Sequence, residues 1–206
     1  MNSILEEIYA ENSWRDGEFA KFKIFPQQVD EKMWGRMCVP MIYANWEGFV
    51  VSSLKILLKH LNGLNLQPLQ IPTKLVVVGL GDSYRSLSGK QSFEQRCNFT
   101  DRFNELLRNT VKFKTKVETK SNLRSEVLCE LCMMFDFDFS KFHEVNSNLD
   151  RLVNIRNCIA HGENAVLPDK SNVELYINTV KKASEILTDE IAHFIEREAY
   201  LIKVNS

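Results

Sequence analysis

An all-α fold, a bundle of helices interrupted by one irregular insertion, is what this sequence predicts, and three patterns predict it. From Trp46 to Leu61 the apolar residues fall at Trp46, Phe49, Val50, Leu54, Leu57, Leu58 and Leu61, with Ser53 on the same stripe, the three-then-four spacing of an amphipathic helix. A second stripe, Val173, Ile177, Val180, Leu187, Ile191, Phe194 and Ile195, runs through a helix expected from Asn172 to about Leu201. Between residues 62 and 99 the periodicity breaks at Gly63, Pro68, Pro72, Gly79, Gly81 and Gly89.

Taken along the chain, a first helix is expected over Ser3 to Lys23. The Trp46 helix reaches back as far as Lys32, with Pro40 as either a kink or its first turn. Segment 62–99 reads as an insertion with one or two short strands, one of them Lys74 to Val78. Helices follow over Asp101 to Arg108, capped by Thr100, over Leu123 to Phe135, and over Ser147 to His161, where Gly162 is placed to end the helix. Pro168 lies in the loop beyond.

The chain has 206 residues, 44% of them hydrophobic, enough for one substantial core, so a single domain over 1–206 is expected. A net charge of −1 gives no global pull toward polyanions, so a nucleic-acid partner must be met by a local basic patch. Five cysteines, an odd number without framework spacing, and an N-terminus lacking a signal-peptide pattern point to a cytoplasmic protein with reduced thiols. No apolar run approaches the roughly 20 residues a membrane span needs.

The stretch "LVNIRNCIAHGE", residues 152–163, holds the sharpest chemical signal. On a helical wheel Leu149, Leu152, Val153, Ile159 and Ala160 all lie within about 60° of Arg156, which therefore sits at the centre of an apolar arc. Asp150, Asn154, Asn157 and His161 form a polar line roughly 100° to 160° away. A guanidinium does not lose its proton at ordinary pH, so an acceptor must receive it. One reading is a buried ion pair, with Glu47 the candidate carboxylate. His161, in the last turn, could simply complement the negative end of the helix dipole.

The sequence "RNCIAHGE" resembles the signature of the HEPN superfamily, an arginine and a polar residue followed by a histidine, matched here by Arg156, Asn157 and His161. The words "MIYANWEGFV" and "NLRSEVLCEL" resemble a branch found near restriction and toxin genes in bacterial conflict systems. The resemblance implies an all-α bundle that forms a homodimer and, in many members, a metal-independent endoribonuclease working without cofactors. RNA is then the substrate, and an antitoxin or another defence-system protein the partner. Arg156 would hold the phosphate through paired hydrogen bonds, His161 would move the proton and Asn157 would assist. The alternative is a non-catalytic HEPN module that binds a nucleotide, RNA or a protein. Some HEPN toxins carry a modified tyrosine two residues after the histidine; Glu163 stands there, so that control is not implied.

Arg156 and His161 diverge by roughly 140° and about 7.5 Å along a straight helix. A site completed by a second copy, or a helix end unwound at 160–162, would bring them together. Elsewhere, Val111, Phe113, Thr115 and Val117 alternate with Lys112, Lys114 and Lys116, which predicts a strand with one basic face, read either as an RNA track or as a charged edge. "CELC" lies within an apolar helix and reads as core packing, and no His or Cys spacing suits a metal. "VVVGLGDSYRSLSGK" lacks the third glycine, at Ser83 or Tyr84, that a phosphate-binding loop requires.

Overall fold

A computed structural model of the protein describes residues 3–24, 29–81 and 90–203. The helices are α1 (Ser3–Asn12), α2 (Trp14–Phe22), α3 (Glu31–Gly63), α4 (Thr73–Leu80), α5 (Phe93–Arg108), α6 (Ser125–Phe135), α7 (His143–Ala160) and α8 (Lys170–Glu196), with 3₁₀ turns at Pro68–Gln70 and Phe139–Phe142. The fold is all-α, and no strand occurs among the described residues. None of the described helices is long and apolar enough to cross a membrane.

The axis of the molecule is α3, which packs against α1, α7 and α8, while α7 also packs on α8. Its stripe is fully buried at Trp46, Val50, Leu57 and Leu61, where it meets Leu152 and Val153 of α7 and Tyr176, Ile177 and Ile191 of α8 in one cluster. Asp30 caps α3, its side chain accepting from Met33 N at 3.1 Å. The helix runs on through Pro40, which removes one backbone donor without ending it. At the other end of the chain Asp169 and Asn172 form a reciprocal cap on α8.

Several expected boundaries move for identifiable reasons. The first helix is two, broken at Ser13, where Trp14 Nε1 donates to Glu11 O at 3.0 Å. The last helix ends at Glu196, and Glu198 turns the chain at φ +49. Thr100 is no cap: α5 begins eight residues earlier at a capping box of Ser92 and Gln95, and the Thr100 hydroxyl bonds Arg96 O inside the helix. The remainder of segment 62–99, apart from residues 82–89 with Ser83, Tyr84 and Gly89, which lie outside the described residues, is largely helical.

The strand expected over Lys74 to Val78 is α4. A four-residue apolar run, Leu75 to Val78, does not distinguish a buried strand from a short helix, and here Pro72 O accepts from Leu75 N at 2.9 Å to open a helical turn. Residues 111–117 form neither a helix nor a strand of a sheet. Their alternation holds nonetheless: Val111 and Phe113 are buried while Lys112, Lys114 and Lys116 are exposed. In place of a neighbouring strand, the Asn62 side chain accepts from Phe113 N at 2.8 Å and donates to Phe113 O at 2.9 Å. Leu66 O takes the amide of Val111 at 2.8 Å.

Candidate active site

Arg156, Asn157 and His161 all stand at the C-terminal end of α7, where the buried stripe runs out. Leu149, Leu152 and Val153 are buried, Ile155 to Ile159 are partly buried, and Ala160 and His161 are exposed. The helix closes in a Schellman turn: Glu163 N bonds Cys158 O at 3.0 Å, Gly162 N bonds Ile159 O at 3.1 Å, and Gly162 adopts φ +79. This places His161 as the last residue of the helical arc, with its side chain in no hydrogen bond or ion pair among the described residues.

The loop behind the turn is fixed from α3. Arg36 Nη1 donates to Glu163 O at 2.5 Å and Val166 O at 2.9 Å. One residue earlier, a Cβ on Gly35 would come within 1.9 Å of Pro168 O, so glycine is what lets the loop touch the helix. Glu163 turns its carboxylate to the Cys158 thiol, whose pKa it holds above the ordinary value, rather than to His161.

The guanidinium of Arg156 lies over the ring of Tyr43, its carbon 4.0 Å from the centroid. Its Nη1 donates to Asn157 Oδ1 at 2.8 Å and its Nη2 to Ser121 O at 2.9 Å. Both acceptors are neutral, and Arg156 makes no salt bridge among the described residues. Glu47 is not its partner: one oxygen of that carboxylate accepts from the Tyr43 hydroxyl at 3.0 Å and from Thr119 at 2.6 Å. The Tyr43 hydroxyl in turn accepts from Leu123 N at 2.8 Å, and burial pushes its pKa up to about 12. Arg156 is therefore neither sealed in the core nor neutralised by a carboxylate.

The strap of residues 119–123 is the element that grips the motif. Lys120 and Ser121 both take left-handed backbone, φ +57 and +49, which turns the Ser121 carbonyl toward Arg156. Asn122 Oδ1 accepts from Asn157 Nδ2 at 3.2 Å. Farther back on the polar line of α7, Asn154 accepts from Arg124 at 2.9 Å, and Asp150 takes the amide and hydroxyl of Ser125, both at 2.6 Å, capping α6. The polar face of α7 is thus the seat of the strap. Tyr43, Ser121 and Asn122 belong to the site without having been singled out from sequence. Tyr43 and Asn122 do lie within the quoted stretches "MIYANWEGFV" and "NLRSEVLCEL", whereas Ser121 carried no signal.

The strap continues directly from the lysine-bearing segment. Lys112 and Asn65 are 3.4 Å apart and Lys116 pairs with Glu118 at 2.7 Å, so these two are partly occupied. Cys132 is buried in the core, where burial pushes its thiol up to about 12, and Cys129 is half-buried beside it. No group of three or more His, Cys, Asp or Glu side chains that could hold a metal gathers among the described residues.

A family model described as RiboL-PSP-HEPN matches residues 10–193, nearly the whole chain. No curated protein and no solved structure matches it.

Proposed function

The chain belongs to the RiboL-PSP-HEPN family, and from that membership we propose that it is a metal-independent endoribonuclease, the effector of a defence or toxin–antitoxin system acting in the cytoplasm. The observation that carries this reading is the state of Arg156: half-buried, stacked on Tyr43, and bonded, among the described residues, only to the neutral oxygens of Asn157 and Ser121. A structural arginine at this depth would be expected to hold a carboxylate, and the candidate the sequence offered, Glu47, is bound elsewhere. A phosphodiester supplies the missing negative charge and matches the planar fork of the guanidinium.

His161, exposed at the helix end, accepts the proton of the ribose 2′-hydroxyl or returns one to the departing 5′-oxygen. The 2′-oxygen attacks phosphorus, the bond to the 5′-oxygen breaks, and the products are a 2′,3′-cyclic phosphate and a 5′-hydroxyl. Arg156 stabilises the charge that builds on the phosphoryl oxygens in between. Asn157, holding Nη1 of Arg156 on one side and Asn122 on the other, keeps the fork aligned. Lys112, Lys114 and Lys116 provide a cationic approach for the RNA backbone. A second copy of the chain completes the site, because Arg156 and His161 leave one helix in different directions.

Purified protein incubated with single-stranded RNA in EDTA tests this. Cleavage is expected in EDTA and absent on an all-deoxy analogue. It should fall by at least about 100-fold in Arg156→Ala and in His161→Ala. Cleavage that persists in both folded variants removes these residues from the site.

A further inference from the structure

The strap over the candidate site is pinned at both ends. The Thr119 hydroxyl donates to Glu47 at 2.6 Å on one side, and Leu123 N donates to the Tyr43 hydroxyl at 2.8 Å on the other. Thr119 and Leu123 are buried, while Lys120 and Ser121 at the crest are exposed. A change of shape between the pins is therefore confined to the crest.

The crest holds a conformation that its residues do not favour. Asn122 N donates to Thr119 O at 3.1 Å, closing a four-residue turn, and φ is positive at both central positions, +57 at Lys120 and +49 at Ser121. That is the sign pattern of a type I′ turn, which glycine, asparagine and aspartate dominate. Its mirror image, the type I turn, keeps the same hydrogen bond, has negative φ at both positions and accepts most residues. Nothing local offsets the strain. The Ser121 hydroxyl makes no hydrogen bond among the described residues, and Lys120 pairs with Glu130 at 2.8 Å where both are largely exposed.

What the strained turn gains is one contact. It aims the Ser121 carbonyl at Arg156 Nη2, 2.9 Å away, while Asn157 takes Nη1 at 2.8 Å. Each terminal nitrogen of the guanidinium thus already donates to a neutral oxygen, on the edge onto which a phosphodiester forks. A charged phosphoryl oxygen makes the stronger hydrogen bond, and a carbonyl held in place by backbone strain is the weaker competitor.

We propose that residues 119–122 are a latch on the phosphate site: the Ser121 carbonyl stands in for a phosphoryl oxygen in the free protein, and a bound phosphate takes Nη2 and lets the crest relax from type I′ to type I. The inference rests on the phosphate-binding role of Arg156 proposed above. It adds a regulated step, since affinity then depends on the balance between two turns as well as on Arg156.

Substitutions at position 121 shift that balance in opposite directions without altering charge. Ser121→Gly removes the strain of the closed turn and should weaken binding of an all-deoxy oligonucleotide by about 3- to 10-fold. Ser121→Val, β-branched and disfavoured at positive φ, should tighten it by a similar factor. Fluorescence anisotropy of the full chain at one fixed salt concentration reads both. In NMR titration of the wild type with the same oligonucleotide, the Lys120 and Asn122 amides should shift as the crest relaxes. If Ser121→Val does not fold, the glycine variant and the amide shifts decide. The proposal is overturned if those amides do not move, if Ser121→Gly binds as tightly as the wild type or more so, or if folded Ser121→Val binds no more tightly. RNA cleavage is scored separately. Cleavage by the wild type without the opposed binding shifts removes the latch and leaves the nuclease reading standing, whereas opposed shifts in a protein that cuts no RNA do the reverse.

Discussion

Tyr43 carries two loads at once: its ring supports the Arg156 guanidinium, and its hydroxyl links Leu123 N to Glu47. Tyr43→Phe keeps the first and loses the second, leaving a buried amide without its acceptor. It should lower unfolding stability by about 1–3 kcal/mol in urea titration while RNA cleavage at saturating substrate changes little. Tyr43→Leu removes the ring as well and should depress cleavage further than Phe does. The pH dependence has a defined sign. The hydroxyl titrates at about 12 in the folded protein against 10 in the ordinary range, so folding favours the protonated phenol. That contribution is complete below pH 10 and is lost as pH rises toward 12, and Tyr43→Phe should lack this part of the alkaline stability loss, as followed by circular dichroism. Gly162 is the other decisive position. Its φ of +79 closes the helix under His161, so Gly162→Ala should cost about 1–2 kcal/mol, and Gly162→Asn less, in the same titration.

At the level of elements, legibility in the sequence followed how local the determining force is. The stripes of α3 and α8, the glycine stop of α7 and the apolar–lysine alternation of 111–117 are periodicities of a chain against water, and each is present in the structure. The identity of a partner is not periodic. Val111 to Val117 alternates like a strand, yet what satisfies its backbone at Phe113 is the side chain of Asn62, far away in sequence. In the same way the arginine in the stripe was legible but its surroundings were not, because the Ser121 carbonyl reaches it only through two left-handed residues, Lys120 and Ser121, that neither glycine nor asparagine marks in the sequence. Asn62→Ala should therefore cost about 1–3 kcal/mol in thermal or urea unfolding, like the loss of a buried ladder bond. Gly35→Ala should cost a similar amount by forcing Pro168 off α3. Because Arg36 holds the same loop, that variant should also weaken cleavage through a displaced His161 turn.

For the whole molecule, α3 is the axis on which the motif helix α7 packs, and the family match over residues 10–193 spans both helices. A composite site makes a prediction that no single-chain site shares. Mixing inactive Arg156→Ala with inactive His161→Ala, after exchange of subunits, should restore a substantial fraction of wild-type cleavage, since each mixed dimer would regain one intact Arg156–His161 pair. Recovery of none would place both residues of a site in one chain. The most direct test of the central claim is the chemistry of the cut ends. RNA digested in EDTA and analysed by end-specific labelling and mass spectrometry should carry 2′,3′-cyclic phosphate and 5′-hydroxyl termini, and these products should disappear with Arg156→Ala. Termini bearing 5′-phosphate and 3′-hydroxyl, or the same products at the same rate from folded Arg156→Ala, would contradict it.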